Sequence, residues 1–215
     1  MHLKRQKAPK NWPIYRKGTK YVVRPNFNIK EGVPLLIILR DILKIAENRK
    51  EIKKALRLKK VLLNNDEVVN EKNIAQLFDI IKIVPSKDYY RVELSKNGKF
   101  QIKEIKENEA DKKITKIVNK KVLAGKKIQL NLKDGKNFLS SIQCNVNDSI
   151  LIDLKNKKIE KCIPLKEKAR VIVFSGKHAG ETGEIKKINK EKKMTELLSE
   201  NKTINVLIKQ LMAVE

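Results

Sequence analysis

The sequence predicts an α+β fold that is mostly β, and three observations carry that prediction. Asn97-Gly98 and Asp134-Gly135 each separate two runs of alternating apolar and polar residues, the pattern of β-hairpins. Only one region, Leu35 to Leu56, spaces its apolar residues three and four apart as helices do. Gly176, Gly180 and Gly183, three of the eight glycines, fall within eight residues between two strand-like runs.

Charge narrows the function. The 215 residues include 50 Lys+Arg against 25 Asp+Glu, a formal net charge of +25. Hydrophobic residues make up 40%, enough for a core, which argues against global disorder. Such an excess repels itself unless a polyanion neutralises it, so nucleic acid is the expected partner and an anionic membrane surface the alternative. No run of eighteen apolar residues occurs, and "MHLKRQKAPKNW" lacks the apolar stretch of a secretory signal. Cys144 and Cys162 are the only cysteines and fit a reducing, cytoplasmic setting as thiols. Without a CxxC pair or a Cys/His cluster, neither a zinc site nor any cofactor is expected.

Residues 1–33 read as a basic arm with Pro9, Pro13 and Pro25 and with Trp12, Tyr15, Tyr21 and Phe27 among the charges. It has no helical period. The arm is expected to order on RNA, with Lys4, Arg5, Lys7, Lys10, Arg16 and Lys17 on phosphates and rings such as Trp12 on bases or on the body.

Residues 34–84 form the second piece. Pro34 suits a first helical turn, and Leu35, Leu36, Leu39, Ile42, Leu43 and Ala46 continue a helical spacing. Asn48 with Glu51 reads as a capping box opening a second helix. Ile52, Ala55 and Leu56 give that helix one apolar face. Arg49, Lys50, Lys53, Lys54 and Arg57 cover the rest, and Arg40, Lys44, Lys59 and Lys60 flank them. A merely solvated face would mix signs, so these cations are read as RNA contacts. "KVLLNNDEVV" then reads as strand, turn, strand, and "IAQLFDIIKIV" as one further strand.

Residues 85–165 read as β-rich, with hairpins at Asn97-Gly98 and Asp134-Gly135 and a third within "NDSILIDLKNKKIEKCIPL". The two glycine turns suggest tight primed turns. Glu107 to Lys113 reads as a helical turn or loop. The polar strand faces are expected to be mostly lysine. Residues 166–215 hold the glycine cluster and the strand-like "KTINVLIKQLMAVE", together suggesting a small SH3-like barrel.

"VIVFSGKHAGETGEI" resembles the KOW motif of ribosomal proteins and transcription elongation factors, matched at Val171, Val173, Gly176, Gly180, Gly183 and Ile185. Ala179 stands where that motif usually has lysine, and Glu181 and Glu184 replace basic-friendly positions. Lys177, His178, Lys186 and Lys187 remain as the loop's candidate RNA contacts. The glycines do not match a P-loop, which ends Gly-Lys-Ser/Thr. The second piece resembles the alpha-L motif, two helices followed by a hairpin, of RNA-binding proteins. The order of arm "HLKR…AP…W", alpha-L opening "PLLIILRDIL", middle "GKKIQLNLKDGKN" and final KOW barrel resembles one family along nearly the whole chain. That family is the small-ribosomal-subunit protein numbered four in the e-type series, of archaea and eukaryotes, and the short ending resembles its archaeal members.

The resemblance implies a structural component of the small subunit. It would bind small-subunit ribosomal RNA and neighbouring ribosomal proteins, with no catalysis, small-molecule substrate or membrane role. A transient assembly chaperone or elongation factor is the alternative. An RNA-modifying enzyme would need a catalytic aspartate in a large separate domain, which the β-rich middle is too short to supply. His2 and His178, the only histidines, lie in a basic arm and loop.

Overall fold

The computed structural model describes residues 2–140, 142–189, 191–199 and 202–214. The chain is mostly β and divides into two compact units. One holds the chain up to Ser95 and Lys99–Asp111; the other holds the turn Lys96–Gly98 and the chain from Lys112 onward.

In the first unit the arm contributes β1 (Leu3–Lys4) and β2 (Tyr21–Val22), which pair with each other. β3 (Gly32–Pro34) follows, then α1 (Leu35–Ile37) and α2 (Arg49–Arg57). β4 (Val61–Leu63), β5 (Asp66–Glu67), β6 (Ile74–Gln76), β7 (Ile80–Ile83), β8 (Asp88–Leu94) and β9 (Phe100–Ile105) complete the unit. β3 pairs with β6, and a five-stranded antiparallel sheet runs β5-β4-β7-β8-β9.

The arm is packed onto the unit. Trp12 is only 2% exposed and its Nε1–H donates to the Gly32 carbonyl at 2.8 Å. This corrects the expectation that the Trp12 ring is available to a base: an indole whose polar end is satisfied inside the protein belongs to the core.

The first helix is shorter than its spacing suggests. Pro34 ends β3 with ψ 140°, α1 spans three residues, and Ile38–Ile42 form a π-turn in which Leu43 N–H reaches Ile38 O at 2.9 Å. Ala46 lies beyond it. Leu35 to Leu39 are all buried, so the segment is apolar on every side and has no single face to preserve.

The run from Ile74 breaks into β6 and β7 at Phe78, whose φ is +62°. Asp79 makes the break, its carboxylate accepting Gln76 N–H at 2.7 Å and the buried Asn64 amide at 2.9 Å. Asn64 and Asn65 both have positive φ (53° and 62°), so this pair forms the primed turn between β4 and β5. The glycine turns differ from expectation. Within each turn only the glycine, Gly98 (φ 70°) or Gly135 (φ 83°), is left-handed, and the enclosing pairs Ser95–Lys99 and Leu132–Lys136 make both loops three residues long. A glycine in the third position of such a loop supplies the single αL residue required.

The second unit opens with β10 (Lys112–Val122), β11 (Ile128–Leu132), β12 (Asn137–Ser140), β13 (Ser149–Asp153) and β14 (Lys158–Ile163), ordered β12-β11-β10-β13-β14. It closes with β15 (Arg170–Val173), β16 (Thr182–Asn189), β17 (Met194–Ser199), β18 (Lys202–Leu207) and β19 (Leu211–Ala213), ordered β18-β17-β16-β15-β19. Val171, Val173, Ile185, Leu197, Val206, Leu211 and Ala213 form one buried cluster with Ile163. β10 and β17 were not anticipated. Lys112 and Lys113 start β10 instead of ending a loop, and only Glu107–Glu109 is helical there.

Lysines occupy inward positions of β10, so the strand lacks an apolar alternation. Lys113 Nζ meets Asp134 Oδ2 at 2.6 Å. Lys116, 2% exposed, donates to Ile208 O at 2.6 Å and Leu211 O at 2.8 Å, fastening β10 to the entry of β19. Its ammonium also lies 5.9 Å from the Phe174 ring centroid, with Lys133 at 5.2 Å from the same ring. Burial, helped by the charge of Lys133, pushes the Lys116 pKa down to about 8. Cys144 and Cys162 are free thiols, and burial followed by the Cys144 hydrogen bond pushes the Cys162 thiol up to about 12.

The glycine cluster works in two ways. Gly176 (φ 95°) and Gly180 (φ 91°) turn the chain, and Gly180 N–H donates to Val173 O at 2.8 Å. Gly183 is in β16, where an added Cβ would lie 2.4 Å from Leu198 O.

Replacing Gly183 by Ala is therefore expected to force β16 and β17 apart and to lower stability by about 1–3 kcal/mol, read as a lower urea midpoint. An unchanged midpoint would mean the strands yield freely. Lys116 gives a pH signature. Its folded pKa of about 8 lies below the ordinary 10.5, so between those values the unfolded chain holds a proton that the folded chain lacks. Its contribution is complete above pH 10.5 and is lost as pH falls through about 8. Wild type should thus gain stability relative to Lys116→Met as pH rises across that window; parallel curves would refute the assignment.

Candidate nucleic-acid interface

The site is built on α2. Asn48 is extended (φ −113°, ψ 146°) and forms the expected capping box, with its N–H donating to Glu51 Oε2 at 3.4 Å. Hydrogen bonds from the Asn48 and Glu47 N–H groups and from the Asn48 amide hold the Glu51 carboxyl below the usual range. Ile52 and Leu56 are 1% exposed and anchor the opposite side of the helix. Lys50, Lys54 and Arg57, spaced four and three apart, then share one outward ridge. All three are exposed, and none forms an ion pair among the described residues.

The cations beside the ridge are engaged. Arg49 donates from Nε at 2.9 Å and from Nη2 at 2.5 Å to Oε1 of Glu71, a residue 3% exposed. Lys53 stands 3.9 Å from the same oxygen. Burial pushes the Glu71 carboxyl up, but the Arg49 hydrogen bond, the backbone N–H and the charges of Arg49 and Lys53 outweigh it and hold the pKa below the usual value. Lys59 pairs with Glu67 at 2.7 Å and Arg40 with Asp41 at 2.9 Å, while Lys60 and Lys44 are exposed.

The arm meets this module along a groove of about 1260 Å³. Arg5 and Lys17 line it from the arm, Arg40, Lys44 and Arg49 from the second piece, and Arg24 and Lys72 join them. Nothing in the periodicity singled out those last two. Arg5 has an internal task, donating at 2.7 Å to Thr19 O, Tyr15 O and Thr19 Oγ1, so it shapes the 15–19 loop. Lys4, Lys7, Lys10, Arg16 and Lys17 are exposed. Tyr15 (88%), Phe27 (71%) and Tyr21 (47%), not Trp12, are the arm's rings open to solvent.

In the second unit, Lys177 is exposed at the glycine loop. His178 is half-buried, its Nδ1 3.0 Å from Glu181 Oε1, so the departure from the motif at Glu181 supplies its partner. Lys186 and Lys187 are both exposed because a bulge between Ile185 and Lys187 shifts the β16–β17 register.

The chain matches Ribosomal family S4e over residues 86–159 and the RS4NT domain over residues 1–27. It is 40% identical over 190 residues to the small ribosomal subunit protein eS4 of Methanocella arvoryzae, covering 87% of this chain and 80% of that protein. The chain belongs to ribosomal family S4e. The eS4 proteins of Methanothermobacter thermautotrophicus and Methanococcus maripaludis are similar at 38% and 33% identity, covering 87% and 94% of this chain and 79% and 87% of theirs. The crystal structure of ribosomal protein S4e from Thermoplasma acidophilum shares the fold, with a TM-score of 0.74 at 23% identity over 86% of this chain and 95% of that one. The match over residues 86–159 begins inside β7–β8 and ends in β14, whereas the α2 ridge lies outside it.

Glu71 offers a test of how this S4e chain braces its helix. Because the folded pKa is lowered, its stabilisation is complete above the unfolded value near 4.3 and is lost as pH falls through the folded value. Glu71→Gln should cost about 1–3 kcal/mol at neutral pH and flatten the acid limb of the stability curve. An acid limb identical to wild type would remove Glu71 from this role.

Proposed function

We propose that the chain is a structural constituent of the small ribosomal subunit, in the cytoplasm, holding folded small-subunit ribosomal RNA beside neighbouring ribosomal proteins. The observation that carries this reading is the uncompensated ridge of Lys50, Lys54 and Arg57 on a helix braced from behind, in a chain of net charge +25 whose relatives are named as small-subunit proteins. Phosphates would neutralise the ridge and the cationic groove together. No described helix is long and apolar enough to cross a membrane.

Within this reading, the helices and the β4–β5 hairpin correspond to the alpha-L module, and β15–β19 to the KOW barrel. Lys50, Lys54 and Arg57 make the principal phosphate contacts, supported by Lys4, Lys7, Lys10, Arg16, Lys17, Lys44 and Lys60. Lys177, Lys186 and Lys187 form a second set on the barrel. Arg40, Arg49, Lys53 and Lys59, each beside a carboxylate, contribute by position more than by free charge.

Affinity for a small-subunit rRNA transcript should fall with salt at a log–log slope of about −5, as expected for roughly six neutralised phosphates. Lys50→Glu with Lys54→Glu should weaken binding at least about tenfold at low salt and make the slope shallower by about 2, with the circular dichroism spectrum unchanged. Wild-type affinity in that double variant would reduce the ridge to a solvated helix face.

A further inference from the structure

The outer face of the β10–β11–β12 ribbon is unlike the rest of the surface. Residues directly opposite in adjacent strands share a face. Asn119 pairs with Asn131 and Asn131 with Asn137; Lys121 pairs with Gln129 and Gln129 with Leu139. The other face carries Leu130, which is fully buried, so these six side chains form the outward face. In a chain whose residues are 35% charged, this face has one charge, Lys121, and no carboxylate. The expectation that polar strand faces are mostly lysine is corrected here: the face is a ladder of amides.

The fold does not call for it. Asparagine is depleted in strands, because its side chain competes for the backbone and packs poorly on a pleated surface. Three in register across three strands serve the sheet less well than threonine would. An amide does something lysine cannot: it donates and accepts side by side, matching the edge of an unpaired base. The amides are also oriented. Gln129 Nε2 donates to Asn131 Oδ1 at 2.8 Å, and Asn119 Oδ1 accepts Lys120 N–H at 2.8 Å. Leu139, 63% exposed, adds an apolar surface at the edge, and exposed Lys121 and Lys127 supply positive charge. Asp134, in the turn between β11 and β12, is held by buried Lys113 and does not oppose a polyanion.

We infer that the Asn119–Asn131–Asn137 ladder with Gln129 reads the edges of unpaired bases in the bound RNA, a base-recognising surface distinct from the phosphate-binding ridge of α2. The inference rests on the RNA-binding reading above. The occupant is a looped or bulged RNA segment, since paired A-form bases do not present these edges to a flat sheet.

The test uses the full-length protein, a small-subunit rRNA transcript, and a fully paired RNA duplex of similar length. In the variant carrying Asn119→Thr, Asn131→Thr and Asn137→Thr, threonine suits the strands and removes the amides. Affinity for the transcript should drop at least tenfold, with the salt slope unchanged and duplex affinity unchanged. Wild-type affinity for the transcript overturns the inference. So does an equal loss on both RNAs, or a shallower slope, since either makes the contact one to phosphate. Should the triple variant unfold, Asn137→Asp alone, on edge strand β12, is expected to lose about fivefold on the transcript only; no such loss overturns the inference. If wild type binds neither RNA, the RNA-binding reading itself falls, a result separate from failure of the ladder variants alone.

Discussion

Fifty cations face twenty-five carboxylates, and the use of the scarcer group organises the molecule. The buried carboxylates hold the fold together locally. Asp79 closes the break between β6 and β7. Asp148 accepts Asn145 N–H at 2.9 Å and Leu165 N–H at 3.0 Å. Asp134 neutralises Lys113, and Glu71 ties Arg49 at the base of α2. Carboxylates committed to backbone N–H groups and inner cations are not available to the outer ridge. The excess of cations makes the surface positive, and these commitments leave the α2 ridge without a carboxylate partner among the described residues.

That division lets α2 be both stable and repulsive. Like charges three and four residues apart each cost a helix a few tenths of a kcal/mol. The capping box and the burial of Ile52 and Leu56 outweigh that, since burying a large aliphatic side chain contributes about 1.5–3 kcal/mol. An RNA partner would turn the repulsion into attraction without any change in the helix, because the ridge is already held in place. The packing of Trp12 against Gly32 and the Arg5-braced loop give the arm the same property.

Elements with local punctuation were legible in the sequence. The Asn48/Glu51 box, the three turn-centred hairpins and the glycine loop all stand where their residues indicated, because capping and positive φ are decided within a few residues. The π-turn after α1 was not legible, because five successive buried residues carry no period. Nor was β10, whose inward positions hold lysines that only distant partners, Asp134 and the carbonyls of Ile208 and Leu211, make tolerable. The cationic side of α2 is exposed where its spacing places it, but its division into free and braced cations depends on Glu71, some twenty residues away in sequence.

Counting lysines misjudges this surface in both directions. Lys113 and Lys116 contribute charge to the total but stand inside the second unit, where an ammonium with three donors can satisfy carbonyls that no apolar residue could. Arg5 and Arg49 likewise direct their guanidinium groups to the protein's own carbonyls and carboxylate. The amide ladder on β10, β11 and β12 adds nothing to the net charge, yet it offers the paired donors and acceptors that could tell one base from another. Charge draws a polyanion to the surface and fixes its backbone. Choosing where along an RNA the protein settles needs groups whose hydrogen bonds differ from base to base, and neutral amides supply such groups without adding to the charge.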